Sequence, residues 1–243
     1  MANATLKVLL GSGGVSNEER RKVYSSLVSQ HFYSSEKVLF IPFASHDHSE
    51  YTTRMNEFLG DDVNLVGIHT FEDPLSALSE FDSIYVGGGN SFLLVNELHG
   101  RSLIEPIRNM VLGGASYLGV SAGANVASPT MMTTNDMPIV LPPSFESIGA
   151  VPFQINPHYH PGKIRFLDGE NLVEHFGETR ARRISEFHVQ WDVPVLGMWE
   201  GSYVHWDGET GVLTGRATSF RAGEDPVELG EGDRFDSNLV QVL

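Results

Sequence analysis

The chain has 243 residues, 41% of them hydrophobic and 19% charged, a balance that suits one globular α/β unit spanning residues 1–243. Its formal net charge of -15 disfavours nucleic acid and anionic membranes as partners, because both attract a positive surface. No run approaches the roughly 20 apolar residues of a bilayer span, and with no cysteine there is no disulfide framework, thiolate metal site or cysteine nucleophile. A cytoplasmic protein is the expectation.

Taken in chain order, the opening "MANATLKVLLGSGG" reads as a first strand (6–11) that turns straight into glycines, not as a signal peptide. Further apolar runs predict strands at 37–43, 64–70, 83–89 and 116–123. Helical patterns lie between them at 17–31, 49–59, 74–80 and 91–112, the last with a break near Gly100. Near-continuous apolar strands joined by helical crossovers imply a mostly parallel sheet with helices on both faces. Ligands in such sheets bind beyond the carboxyl ends of the strands. The loops after "FIPFA", "YVGGGN" and "GVSAGAN" then share one rim.

From 129 to 162 the texture changes. Prolines 129, 138, 142, 143, 152, 157 and 161 rule out a regular helix, while the apolar residues among them indicate a packed loop. A helix resumes around 178–190. The runs "VPVLGMW", "SYVHWDGETGVLT" and "ATSFRAG" read as short strands, with a hairpin turn near Asp207-Gly208.

Ser121 stands in a G-x-S-x-G strand-to-helix turn, "GVSAG", where glycines allow a bend sharp enough to expose the serine oxygen. It suits a nucleophile, and equally a helix cap. A nucleophile needs a base, an acid to orient that base, and oxyanion donors. Of the ten histidines, His31, His99, His175 and His188 lie in polar helical contexts that read as solvated. His158, in "INPHYHPG", follows an apolar strand and an Asn-Pro turn that would hold it at a strand end. It reads as the base or as a loop histidine bonded to backbone. Glu200 in "GMWEGSY" and Asp136 in "TTNDMPIV" are both open as the acid. The glycine turn of "VGGGNSF" offers backbone N–H groups for an oxyanion, while its spacing fits neither phosphate-binding glycine motif.

The pairs His46/His48 and His158/His160 raise a zinc reading, but neither brings a third ligand by spacing. In "GETRARRI", Arg180 and Arg183 share a helical face near Glu178. They form either a carboxylate clamp or partners for that glutamate.

In order along the chain, "FIPFA", "YVGGGNSF", "GVSAGANVASP", "TTNDMPIV", "INPHY", "GETRARRI" and "EGSY" resemble peptidase E, the α-aspartyl dipeptidase family of serine peptidases, over about residues 38–222. The resemblance implies a class I glutamine-amidotransferase-like (flavodoxin-like) fold and hydrolysis of dipeptides with an N-terminal aspartate, through an acyl-enzyme. It implies Ser121 as nucleophile, His158 as base and Glu200 as third member, with Gly89 and Ala122 giving oxyanion N–H groups. Asn90 would lie near the substrate amine or carbonyl, Arg180 would meet the aspartyl carboxylate, and Asp136 and Glu178 could answer the α-amino group. Asp136 would alternatively orient His158 or hold its loop. No cofactor or metal is called for, the partner is a small acidic dipeptide, and a homodimer is the lean.

The segment between "INPHY" and "GETR" and the tail beyond 222 depart from the family pattern. A cyanophycinase-like hydrolase of aspartyl peptides is an alternative, as is a non-catalytic anion-binding module in which Ser121 only caps a helix. An α/β-hydrolase esterase would place its acid before its histidine, calling on His188 or His205 and leaving His158 without a role.

Overall fold

A computed structural model describes residues 5–242. The first half alternates strand and helix: β1 (Lys7–Gly11), α1 (Glu18–His31), β2 (Val38–Ile41), α2 (His48–Leu59), β3 (Leu65–Gly67), α3 (Pro74–Leu78), β4 (Ser83–Val86), α4 (Ser91–Gly100), α5 (Ile104–Leu112), β5 (Ser116–Val120) and the short α6 (Ala122–Asn125). The second half is mainly strand: β6 (Gln154–Tyr159), β7 (Arg165–Asp168), β8 (Asn171–Glu174), then α7 (Arg180–His188), then β9 (Val195–Trp199), β10 (Tyr203–Trp206), β11 (Gly211–Thr214), β12 (Ala217–Phe220), β13 (Val227–Leu229), β14 (Arg234–Phe235) and β15 (Gln241–Val242).

Local chemistry explains where the helices begin. Asn17, Asp47, Asn90 and Thr179 each accept a hydrogen bond from the backbone N–H three residues on, and Asp73 caps α3 ahead of Pro74. The expected break near Gly100 is real: Ser102 takes a φ of 58° between α4 and α5. The run at 64–70 is strand only as far as Gly67. There the Thr70 hydroxyl donates to the Gly67 carbonyl (2.8 Å) and closes a 3-10 turn where the apolar pattern predicts more strand.

The strands form a nine-stranded sheet in the order β15-β14-β11-β10-β1-β5-β4-β2-β3. From β1 to β3 every neighbour is parallel, and from β1 out to β15 every neighbour is antiparallel. The parallel block is buried on both faces, as its apolar runs imply. Val8, Leu10, Leu39, Ile41, Ile84, Val86 and Tyr117 enter the core on one side, and Leu9, Val38, Phe40, Tyr85 and Leu118 enter the other. Helices α1 and α2 cover the second side with Tyr24, Val28, Tyr51 and Leu59.

A second sheet, β13-β12-β9-β6, carries the only other parallel pair among the described residues, β6 with β9. Residues 200–202 hand the chain from β9 to β10, so this short turn joins the two sheets. The tail beyond 222 adds two strands to the nine-stranded sheet and one to the four-stranded sheet rather than trailing away. By contrast, β7 and β8 pair only with each other, and all eight of their residues are exposed. Among the described residues no helix is long and apolar enough to cross a membrane.

Candidate active site

The carboxyl ends of β1, β2, β4 and β5 meet on one rim, and the bonds between their loops show how tightly. Gly87 N–H donates to the Ile41 carbonyl (3.1 Å), Asn90 N–H to the Ala44 carbonyl (3.0 Å) and Ser121 N–H to the Gly11 carbonyl (2.9 Å). Ser121 ends β5 with φ 56° and ψ -112°, a conformation that L-residues rarely hold. Its flanking glycines leave no alternative. A Cβ on Gly119 would strike the Gly123 carbonyl, and one on Gly123 would strike the Val86 carbonyl. The side chain of Ser121 caps nothing in α6. It reaches instead to His158, with Oγ 2.8 Å from Nε2.

His158 lies inside β6, not beyond its end. Between Asn156 and Tyr159 the pairing with β9 slips by one residue, and the bulge gives His158 a φ of 55°. A bulge re-aims a side chain that strand alternation would otherwise bury. The other ring nitrogen, Nδ1, lies 2.5 Å from Glu200 Oε2, in the turn that joins the two sheets. Ser121, His158 and Glu200 thus form one hydrogen-bonded line.

Asp136 is not part of that line. Its Oδ2 accepts from Ser91 N–H (2.7 Å) and from the Thr134 hydroxyl (3.2 Å), pinning the proline-rich loop to the start of α4. Asn135 donates to the Pro157 carbonyl (2.7 Å), and Asn156 donates to Thr133 O and Asn135 Oδ1, so the same loop is stitched to β6 beside His158. Asn90 caps α4 through Oδ1 and donates through Nδ2 to the Met137 carbonyl (3.0 Å).

Gly89 has a φ of 140° and packs so closely on the Ala44 backbone that no side chain fits. Its neighbour Gly88 faces the nucleophile, since a Cβ there would lie 3.1 Å from Ser121 Cβ. Ala122 opens α6, whose first N–H groups have no acceptor within the helix. The glycine turn after β4 and the start of α6 therefore both adjoin Ser121.

The cationic cluster divides. Arg183 is bonded to Glu178 (2.8 Å) at the exposed surface, so Glu178 answers an arginine rather than facing the rim. Arg180, the first residue of α7, is partly buried and joins no ion pair among the described residues. Burial, then repulsion from Arg183, pushes its guanidinium below the ordinary value, while the Asp136 carboxylate pulls the other way. A half-buried cation without a partner is costly unless an anion arrives to meet it.

Of the four histidines set aside in the sequence, three are held by backbone, and the exposed His175 packs against Phe166. His31 Nε2 bonds to the Tyr117 carbonyl (3.0 Å), His99 Nε2 to Glu146 O and His188 Nε2 to Val193 O. His31 is therefore tucked under β5 rather than solvated. His48 packs edge-on against Phe43 and beside His69, and among the described residues no three His, Cys, Asp or Glu gather as a metal site.

One group of residues escaped the sequence reading. The Ser12 hydroxyl, fully buried after β1, donates to Met198 O (3.0 Å) and accepts from His158 N–H (2.8 Å), fixing the bulge from beneath. A Cβ on Gly13 would come within 3.0 Å of the His158 ring, and one on Gly14 within 2.5 Å of Glu200. The available signal was "GSGG" at the carboxyl end of a first parallel strand, where ligand loops gather.

Comparison with known proteins gives a consistent answer. Residues 8–214 match the model of peptidase family S51. Peptidase E of Streptomyces coelicolor is 47% identical over 210 residues, covering 85% of this chain and 82% of that one. A Drosophila melanogaster protein named "Probable alpha-aspartyl dipeptidase" is 45% identical over 196 residues, 79% of each chain. The crystal structure of a peptidase from an acI-B1 actinobacterium shares the fold, with a TM-score of 0.65 at 16% identity over 96% of this chain and 98% of the other.

Proposed function

The chain belongs to peptidase family S51, and from that premise we propose that it is a serine dipeptidase releasing aspartate from the N-terminus of Asp-Xaa dipeptides. The observation that carries this reading is the line Ser121–His158–Glu200, together with a partly buried Arg180 that feels the Asp136 carboxylate and joins no ion pair among the described residues. We read the fold as class I glutamine-amidotransferase-like, supported by the nucleophile turn directly after β5 inside a parallel block.

Ser121 Oγ attacks the carbonyl carbon of the aspartyl residue while its proton passes to His158 Nε2. Glu200 holds the Nδ1–H, which keeps Nε2 free to accept and then stabilises the imidazolium. The N–H groups of Gly89 and Ala122 receive the oxyanion, each donor supplying about 3 to 4 kcal/mol to the transition state in comparable sites. The tetrahedral adduct collapses with cleavage of the C–N bond, and His158 gives its proton to the departing amine. Water then adds to the acyl-enzyme, losing a proton to His158, and aspartate leaves as Ser121 recovers its hydrogen.

Specificity rests on Arg180 meeting the aspartyl carboxylate. A neutral asparagine leaves the cation unpaired, and a site built for a charge rejects its neutral isostere strongly. Asp136 holds the loop over α4 and places a negative charge near Arg180, on the side where a free α-amino group would sit. An anion-binding module without chemistry needs Ser121 as a cap, a role its side chain does not take. A cyanophycinase-like enzyme is tested by the same assay with a branched aspartyl polymer.

The test measures amino acids released from Asp-Leu and Asn-Leu by the purified protein without added metal, with Ser121→Ala as control. Cleavage of Asp-Leu alone, lost in the variant, is expected. Cleavage that survives Ser121→Ala, or equal use of both peptides, sinks the assignment.

A further inference from the structure

Beside Ser121 lies a cavity of about 310 Å³, bounded by the loop after β1, helices α1 and α2 and the ends of β4 and β5. Its floor is aromatic and apolar: Tyr24, Tyr51, Met55, Phe58, Tyr85 and Val120. Two of the hydroxyls, those of Tyr24 and Tyr85, are bonded to each other rather than turned to a ligand. Such a lining favours a hydrocarbon side chain and penalises a charged one.

Its mouth is at the reacting groups. Gly88 lines it, and a Cβ there would lie 3.7 Å from Ser121 Oγ; Gly13 lines it, and a Cβ there would lie 3.0 Å from His158 Cε1. Val120 directly precedes the nucleophile. The cavity thus opens between the serine and the histidine that must protonate the departing amine, which is where the leaving half of a peptide has to stand. None of Asn90, Asp136 and Arg180 lines it. The turn at 88–90 separates the two sides, with Asn90 reaching toward Met137.

The rim holds one cation. Arg54 on α2 is exposed, lies over the Tyr51 ring (5.2 Å to its centre) and joins no ion pair among the described residues. In a chain with 31 Asp plus Glu against 16 Lys plus Arg, a free arginine at the edge of an apolar cavity complements one ligand shape: a hydrocarbon side chain with a carboxylate beside it.

Building on the dipeptidase reading, we propose that this cavity is the subsite for the released residue. It takes an aliphatic or aromatic side chain, and Arg54 meets that residue's free α-carboxylate. The enzyme therefore selects at both positions of its substrate: acidic before the scissile bond, apolar with a free carboxyl terminus after it.

The experiment compares kcat/KM for Asp-Leu, Asp-Gly and Asp-Leu-amide in the wild-type chain, Arg54→Ala and Met55→Trp. Wild type is expected to prefer Asp-Leu to Asp-Gly by roughly 10- to 100-fold, the factor for burying a leucine side chain. Met55→Trp fills the cavity and should shrink that preference to a few-fold at most. Arg54→Ala, a surface change that leaves the core alone, should raise KM about tenfold more for Asp-Leu than for its amide. Equal use of Asp-Leu and Asp-Gly by the wild type, or equal losses on acid and amide in Arg54→Ala, overturns the subsite. Failure of the wild type to cleave any Asp-Xaa peptide overturns the dipeptidase reading and the subsite with it, a result distinct from cleavage without preference.

Discussion

On one flank of Ser121, His158 from the bulge of β6 and Glu200 from the turn after β9 rest on the glycines and buried Ser12 that follow β1. On the other, Arg180 opens a helix preceded by residues 160–178, all exposed, whose cross-links are surface ion pairs: Lys163 with Glu174, and Arg183 with Glu178. The first flank is fixed by backbone contacts shorter than a side chain could allow. On the second, α7 itself is seated by Ile184, with Ala181 and Phe187, against Tyr159, Val195 and Phe220, but the segment leading into it is held by pairs that water and salt screen, each worth about 0 to 1 kcal/mol. The bond-making half of the site is thus a property of the two sheets, while the helix proposed to recognise the acid rests on the second sheet but is entered through an exposed segment free to vary.

Glu200→Gln strikes the first flank hardest. It keeps the shape but lets the amide donate to Nδ1, favouring the wrong histidine tautomer, and kcat should fall by about 10³-fold or more with KM little changed. A loss under tenfold would mean that Glu200 does not orient His158.

Acid should weaken the same flank through its foundation. Burial, then repulsion from His205, pushes the His31 imidazole down to about 4, beneath the strand that ends in Ser121. A neutral buried ring contributes its stability fully above the ordinary 6.5, and that contribution is lost as pH falls toward 4. Melting experiments over that window should show up to about 3 kcal/mol lost, reduced in His31→Asn. An unchanged acid limb in the variant would remove His31 from the account.

Ser12→Ala strands the buried His158 N–H and should cost about 1 to 3 kcal/mol by denaturant titration, with kcat falling alongside. Retained kcat would show that the bulge holds itself. Glu178→Ala should move stability by less than about 1 kcal/mol and leave the Asp-Leu rate near wild type, since Glu178 only pairs Arg183 at the surface. A larger loss would erase the contrast between the flanks.

The parallel block was readable because strands buried on both faces carry unbroken apolar runs, and the nucleophile turn because glycines at 119 and 123 leave a distinctive spacing. Choosing between Glu200 and Asp136 was beyond the sequence, since one follows an apolar run and the other sits in the proline-rich loop, neither near His158 in the chain, and only the tertiary placement of β9 beside β6 brings one of them to His158. The slip between Asn156 and Tyr159 falls at an Asn-Pro pair that reads equally as a turn closing the strand, so His158 was expected past the strand end. Ser12 reads as an ordinary turn serine until β6 and β9 close over it. The hairpin β7–β8 was invisible for the opposite reason: nothing packs on it, so no burial pattern announces it.

Four non-glycine residues among those described hold a positive φ, and two of them are Ser121 and His158. Glycine relaxes that backbone at a gain of about 1 kcal/mol or more, and at either position it deletes the reacting atom. Selection for folding alone would therefore push this scaffold toward inactivity. A lineage released from its peptide-cleaving duty could drift to a more robust, catalytically silent descendant in a single codon change at Ser121.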